Sequence, residues 1–335
     1  MQKGVLSASM DQALEIKLAE WRAAVREHLS HPRFAEEPIY LSEPMKYALK
    51  AEGKMLRPAL CLAASEAVGG DWHEAVIVAA ALEIFHTFSL IHDDIMDNDA
   101  LRRGLPTLHE AYDRNRALLS GDTLLIYVYQ LLSEIDSSKF PQIFRAFNEG
   151  AMDVCKGQGW DMEFEQRQDV EPDEYVKMID LKTGALIKLA CQLGGIIGDG
   201  SETAINALTR FGLLLGRAFQ MQDDLLEVTS SAMDMGKSLG SDLLNEKKTW
   251  IWLDLKKNLS ASELKTWEGI RRTGQLNEAH RDQIKSWMSE NGTIKRAQSL
   301  IQSWVTEADH LLSSSSIKNS GMLKALSDII LNRVN

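Results

Sequence analysis

The sequence predicts an all-α fold, a single-domain helical bundle over residues 1–335, and three observations carry that expectation. Apolar residues recur at helical spacing from end to end, whereas the period-two alternation of half-buried strands is hard to find. Helix starts are written repeatedly: Asp71 to Glu74, Thr107 to Glu110 and Ser260 to Glu263 all have the capping-box form, in which side chains satisfy the first orphan amides. The chain has only seven prolines and no long low-complexity linker, so nothing marks a domain boundary.

Taken in order, the first 21 residues read as an amphipathic helix without the apolar core of a leader, so no signal peptide is expected. Gly69-Gly70 reads as a helix stop. Ala75 to Ile91 is the longest apolar stretch, but Glu83 and His86 interrupt it and it is short for a membrane span. A soluble, cytoplasmic protein without stable membrane insertion is expected. Gly198-Asp199-Gly200 and Gly240-Ser241-Asp242 read as further turns, and Ser313 to Ser316 as a loop before a last helix. Cys61, Cys155 and Cys191 are odd in number, widely separated and set in apolar sequence, which predicts buried reduced thiols. The 37 Lys and Arg against 48 Asp and Glu leave a net charge of −11, which argues against nucleic acid as a partner because duplex binding rests on cationic neutralisation of phosphates.

Two acidic clusters interrupt this pattern: Asp93-Asp94-Ile95-Met96-Asp97 and Asp223-Asp224-Leu225-Leu226-Glu227. On a helix, positions three or four apart share a face, so Asp93 pairs with Asp97, and Asp223 or Asp224 with Glu227. Like charges so placed cost helix stability unless a cation neutralises them. A single such cluster is usually a solvated acidic face. These two each end an apolar, core-like segment, and hard oxygen donors without Cys or His suit magnesium shared with substrate phosphates. The expected arrangement is two carboxylate walls facing each other across the bundle. Cations suited to diphosphate stand nearby in sequence: Lys54 and Arg57; Arg102 and Arg103; Lys182; Lys237 and Lys247.

The segments GKMLRP (53–58), LIHDDIMDNDALRRGLPTLH (90–109), LLSGDTLL, GQGWD, DLKTGALI, FQMQDDLLEV and GKSLGSD occur in the order found in the trans-isoprenyl diphosphate synthases, the polyprenyl synthetase family, which the chain resembles from about Tyr40 to Trp250. The resemblance implies the isoprenoid-synthase helical bundle around a central cavity, and head-to-tail condensation of isopentenyl diphosphate onto an allylic diphosphate. It implies magnesium, three ions to a site, bound by Asp93, Asp97 and Asp223, with Asp94, Asp224 and Glu227 as further ligands or acting through water. Lys54, Arg57, His86 and Arg103 would hold isopentenyl diphosphate. Arg102, Lys182, Lys237 and Lys247 would hold the allylic diphosphate. Thr183 and Gln220 would lie beside the reacting carbon with Lys182, backed by Gln158 and Asp161. A homodimer is implied too.

Some positions depart from the family pattern. Glu52 and Met55 replace the usual Gly and Arg, and Glu227 replaces the commoner Asp. An aromatic five residues before the first cluster, here Phe88 followed by Ser89, is associated in the family with short products. The expected product has twenty carbons, with fifteen as the second choice. Rival readings are a class I terpene cyclase, which would not need Lys54, Arg57, His86 and Arg103, and a non-catalytic subunit of a heteromeric synthase, which would not need both clusters intact.

Overall fold

The computed structural model of the protein describes residues 2–30, 38–50, 53–135, 138–229, 247–274, 276–313 and 316–331. Their order is α1 (Gln2–Leu29), α2 (Ile39–Lys50), α3 (Leu56–Val68), a 3-10 turn (Trp72–Ala75), α4 (Val76–Asp97), β1 (Leu101–Arg102), β2 (Leu105–Pro106), α5 (Leu108–Ala111), α6 (Arg114–Ser133) and α7 (Phe140–Gln166). There follow α8 (Pro172–Ile179), a π-helical turn (Asp180–Gly184), α9 (Ala185–Ile197), α10 (Glu202–Thr229), α11 (Trp250–Asn258), α12 (Ala261–Arg272), α13 (Glu278–Glu290), α14 (Thr293–Leu312) and α15 (Gly321–Leu331). Among the described residues the sole extended pairing is the β1–β2 ladder, so the all-α expectation holds.

Contacts divide the chain into two compact units, each assembled from separate segments. The first comprises residues 1–148, 189–209 and 313–326. Its core helix is α4, which packs against α1, α3 and α6. From Val78 to Phe85 every residue of α4 is buried, and beyond that only Ile91 and Asp94 are, so the helix passes from a fully packed to a one-sided environment as it nears the acidic cluster. α1 supplies Leu18, Trp21, Val25 and Leu29 at helical spacing. The segment Trp72–Asp97 is the one described stretch long and apolar enough to cross a membrane, and its apolar surface is spent largely on packing within this unit. The second unit comprises residues 149–188, 210–312 and 327–335. There α11 packs on α8 and α14, Trp252 lies 4.7 Å from Trp267 between ring centroids, and Arg296 closes a two-pronged ion pair on Asp254 at 3.0 and 2.6 Å.

The predicted caps form unevenly. Ser260 forms the full capping box, with Glu263 Oε2 accepting from the Ser260 amide at 2.7 Å. Asp71 caps only the short 3-10 turn, accepting from the His73 amide. Thr107 caps nothing: its hydroxyl donates to the Asp99 carbonyl at 2.7 Å, because the hairpin before α5 leaves that carbonyl without a helical partner. Gly69 ends α3 at φ 95°, where a side chain would be strained. The turn expected at 240–242 lies outside the described residues, as do Ser314 and Ser315.

The three cysteines are free but not alike. Cys61 and Cys191 are buried in the first unit, and burial pushes both thiols up, Cys191 to about 12. Cys155 is exposed on α7, correcting the expectation of three buried thiols; the apolar residues beside it in sequence lie around the helix from it, not over it. A disulfide-exchange reagent at pH 8 is expected to titrate one thiol quickly, with the other two reacting only on unfolding. Rapid release of all three would contradict this packing.

Candidate active site

In the first unit the acidic cluster occupies the last turn of α4, which Asn98 stops at φ 54°. The chain then reverses through a two-residue hairpin whose turn, Arg103-Gly104, has φ values of 54° and 77°. Positive φ at both positions is the type I′ geometry that matches strand twist, and it fits a Gly in the second place. The Tyr47 hydroxyl holds the hairpin by donating to the Pro106 carbonyl at 2.8 Å. Arg114 clamps the helix end, donating to the Ile95 carbonyl at 2.9 Å and to Asn98 Oδ1 at 2.7 Å.

This reversal carries two guanidiniums back onto the helix. Arg102 Nε donates to Asp94 Oδ1 at 2.5 Å, and Arg103 lies over Gly53, where an added Cβ would stand 2.9 Å from its Nη1. Between them a cavity of about 70 Å³ is lined by Tyr47, Glu83, His86, Asp94, Arg102 and Arg103. Arg57 Nη1 donates to His86 Nε2 at 3.0 Å. Burial, and then the charges of Arg57, Arg103 and Arg102, hold the His86 imidazole well below its ordinary pKa, so at neutral pH the ring is uncharged and can accept from Arg57. The proton then resides on Nδ1, a buried donor without a partner among the described residues. Glu83, one turn earlier, is buried, and burial raises its carboxyl while Arg57 and Arg103 draw it back. The result is a cationic pocket whose carboxylates are Glu83, beneath it, and Asp94, held by Arg102, with an unmet N–H donor, which suits a polyanion. Lys54 is exposed.

Burial sorts the first cluster. Asp94 is buried against Arg102, Asp93 is partly exposed and Asp97 is exposed.

The second cluster lies near the end of α10, in the second unit, and is sorted the same way. Asp224 is buried, while Asp223 and Glu227 are partly exposed. Asp224 receives Tyr175 Oη on Oδ2 and Gln220 Nε2 on Oδ1, the latter at 3.0 Å. Burial pushes its carboxyl up to about 6 in spite of those hydrogen bonds and of Lys247. Thr183 Oγ1 donates to Gln220 Oε1 at 2.7 Å, so Thr183, Gln220, Asp224 and Tyr175 form one continuous chain. Lys182 Nζ donates to Asp161 Oδ2 at 2.5 Å.

Lys182 and Thr183 occupy the π-helical turn between α8 and α9. The extra residue in such a turn shifts the side chains that follow it around the axis, and π turns concentrate at functional sites. The turn is fixed by Arg217, which donates to both oxygens of Asp180 at 2.6 and 2.7 Å, and by a glycine: a Cβ on Gly157 would fall 2.3 Å from the Lys182 amide nitrogen. Gln158, the next residue of α7, is buried with both amide ends unpartnered among the described residues. Lys247 is exposed, and Lys237 lies outside the described residues.

Among the described residues no three His, Cys, Asp or Glu groups converge as a closed metal cage. Asp97 is exposed and Asp93, Asp223 and Glu227 are partly so; all four are hard oxygen donors, the first pair at the end of α4 in the first unit and the second near the end of α10 in the second. Each pair, within its own unit, has the chemistry of an open site in which water and a bound polyanion complete the shell.

Sequence reasoning missed Glu83 as a countercharge, Tyr175 as the anchor of Asp224, Arg114 as a clamp and the Asp180–Arg217 brace. Only Glu83 left a trace, as a charge within the apolar run of α4. Ser89, paired in sequence with Phe88, donates its hydroxyl to the His86 carbonyl at 2.9 Å, as a helix-interior serine does.

An all-helical protein with carboxylate-rich helix ends and a guanidinium pocket around a neutral imidazole is equipped to hold polyanions. Residues 38–288 match the family model for polyprenyl synthetase, and the chain belongs to that family. It is 43% identical over 213 residues to the short chain isoprenyl diphosphate synthase of Methanothermobacter thermautotrophicus, a match spanning 63% of this chain and 66% of that relative. Among solved structures it resembles a geranylgeranyl pyrophosphate synthase at 36% identity and TM-score 0.84, covering 94% of this chain and 97% of the other. It also resembles the geranylgeranyl pyrophosphate synthetase of Pyrococcus horikoshii at 30% identity and TM-score 0.86, covering 97% and 99%.

Proposed function

We propose that the chain is a trans-prenyltransferase that condenses isopentenyl diphosphate with allylic diphosphates and ends at twenty carbons, the geranylgeranyl product for which several of its relatives are named. The observation that carries this reading is the first-unit pocket, where Arg57, neutral His86 and Arg103 gather beside the carboxylates of α4. A terpene cyclase has no use for a second diphosphate pocket.

The residues divide the work by charge. Lys54, Arg57, His86 and Arg103 bind the diphosphate of the isopentenyl acceptor. Arg102, Lys182, Lys237 and Lys247 bind that of the allylic donor, whose departure leaves an allylic cation. A divalent metal, magnesium by the hardness of its donors, would be held by Asp93, Asp97, Asp223 and Glu227 and would supply Lewis-acid neutralisation of the departing charge. Arg102 is parked on Asp94 and Lys182 on Asp161, so each exchanges a carboxylate partner for a phosphate when substrate binds. Thr183 and Gln220 would lend their oxygen dipoles to the cation; their hydrogen bonds to each other and to Asp224 hold them in one orientation. The buried side of Asp224 keeps Gln220 from rotating. After carbon–carbon bond formation the released diphosphate takes the proton, so no side-chain base is required. Apolar walls keep water from capturing the cation.

The enzyme works as a cytoplasmic homodimer in this reading. Leu118, Leu119 and Ile126 of α6 are exposed apolar residues available to a second copy.

Incubating the purified protein with labelled isopentenyl diphosphate, magnesium and dimethylallyl, geranyl or farnesyl diphosphate tests the activity. Linear diphosphates ending at twenty carbons are expected; cyclic hydrocarbons, or no turnover, would refute it. Phe88 is the proposed floor under the growing tail, about one and a half turns before Asp93 on α4. Phe88→Ala is expected to shift the dominant product upward by at least one isoprene unit, read by chromatography of dephosphorylated products. An unchanged distribution would remove Phe88 from that role.

A further inference from the structure

Resting on the reading of Phe88 as the tail's floor, the geometry points to a second determinant of product length: Gly121 of α6, acting through His92 of α4 on the Phe88 ring. Phe88 sits in a line of rings. Its centroid is 5.3 Å from Phe85, which meets Phe147 edge-on at 5.4 Å, and 4.7 Å from His92, again edge-on. Phe85 and Phe147 are buried core residues, so on that side the line is fixed. On the other side the position of Phe88 depends on where His92 can stand.

His92 is set by the turn of α6 that faces it. A Cβ built on Gly121 would lie 2.4 Å from His92 Nε2 and 2.6 Å from Cδ2, distances that no packed pair tolerates. The absent side chain is therefore the space the imidazole occupies. The same nitrogen faces the Leu118 carbonyl at 3.4 Å and the Asp122 carboxylate at 3.7 Å, so the ring is seated on one turn of α6 by polar neighbours as well as by shape. Gly121 is buried, and glycine in mid-helix costs stability relative to alanine, so its place there has a packing cause.

Two rings in edge-on contact cannot be moved independently. With a methyl group at 121 the imidazole leaves its seat and is pressed against its other neighbour, Phe88, raising the floor and shortening the product. Without the imidazole, Phe88 loses one side of its slot and can swing into the vacated space, lowering the floor. Gly121 is thus a positioning residue, and product length is the property it tunes.

The test is a product-length ratio, which loss of folded protein or of general activity does not move. His92→Ala is expected to raise the ratio of twenty-five- to twenty-carbon product roughly twofold to tenfold, the range that losing one edge-on ring contact sets. Gly121→Ala is expected to shift products the other way, raising the fifteen-carbon share. In the double variant H92A/G121A the methyl group finds open space, so the shortening caused by G121A should vanish, the non-additivity that marks a shared contact. If G121A does not fold, the double variant still gives the comparison with H92A alone. If Phe88→Ala lengthens products while H92A and G121A leave the ratio unchanged, the present inference fails and the floor survives. If Phe88→Ala changes nothing, the floor reading itself fails.

Discussion

Asp93→Asn is expected to lower kcat by about a thousandfold at saturating magnesium, the kinetic equivalent of removing several kcal/mol of metal-borne charge stabilisation from the transition state. The same change is expected to leave the melting temperature level or raise it. Asp93 and Asp97 stand one turn apart at the C-terminal end of α4, where each repels the other and both face the negative end of the helix dipole. A fold selected for stability alone would not place them there, so neutralising one relieves repulsion while it removes a proposed metal ligand. Steady-state turnover and a thermal melt on one preparation check both halves. A variant within tenfold of the parent would show that Asp93 holds no metal. Asp94→Asn should behave differently, because Asp94 is buried against Arg102. Its loss frees the guanidinium and costs stability, since the buried side chain at 94 then offers Arg102 a weaker acceptor.

The contrast between neighbours at 93 and 94 also marks how far sequence reasoning reaches. The DDxxD spacing puts Asp93 and Asp97 on one helical face, and the apolar run before them puts that face at the end of a core helix; both are periodicity arguments, and α4 obeys them. Periodicity does not say which of two adjacent aspartates turns inward. That depends on a type I′ turn at Arg103-Gly104 returning Arg102 to the helix, a reversal signalled locally by one Gly. Likewise the all-α class was legible because the helical period is a property of each segment by itself. The Thr107 cap failed because a neighbouring carbonyl, set by the hairpin, competed for its hydroxyl. The π-helical turn at Asp180–Gly184 was invisible: its cause is the approach of α7 at Gly157 and the brace from Arg217, and neither lies in the segment that bends. Tyr175, distant in sequence from the Asp224 it anchors, belongs to the same class of feature.

That remote cause makes Gly157 the place to expect the largest combined effect. Gly157→Ala puts a methyl group 2.3 Å from the Lys182 backbone nitrogen, and the atoms it meets are backbone, so no side chain can rotate away to relieve the clash. Either α7 or the π turn must move. Overpacking of this kind costs about 1–3 kcal/mol, which should appear as a lowered melting temperature. The displaced turn also carries Lys182 away from Asp161 and from the diphosphate it is proposed to bind, and Thr183 away from Gln220, and a misplacement of about 1 Å in such groups can cost roughly a hundredfold in rate. The control lies two residues along the same helix. A Cβ on Gly159 would meet nothing within 4 Å, so Gly159→Ala is expected to stabilise the helix by about 0.5–1 kcal/mol and leave kcat/KM for the allylic substrate where it was. If both alanines behave alike, whether harmless or damaging, the turn at Lys182 does not depend on the close approach of Gly157, and the geometry of the π turn must be held by the Asp180–Arg217 pair instead.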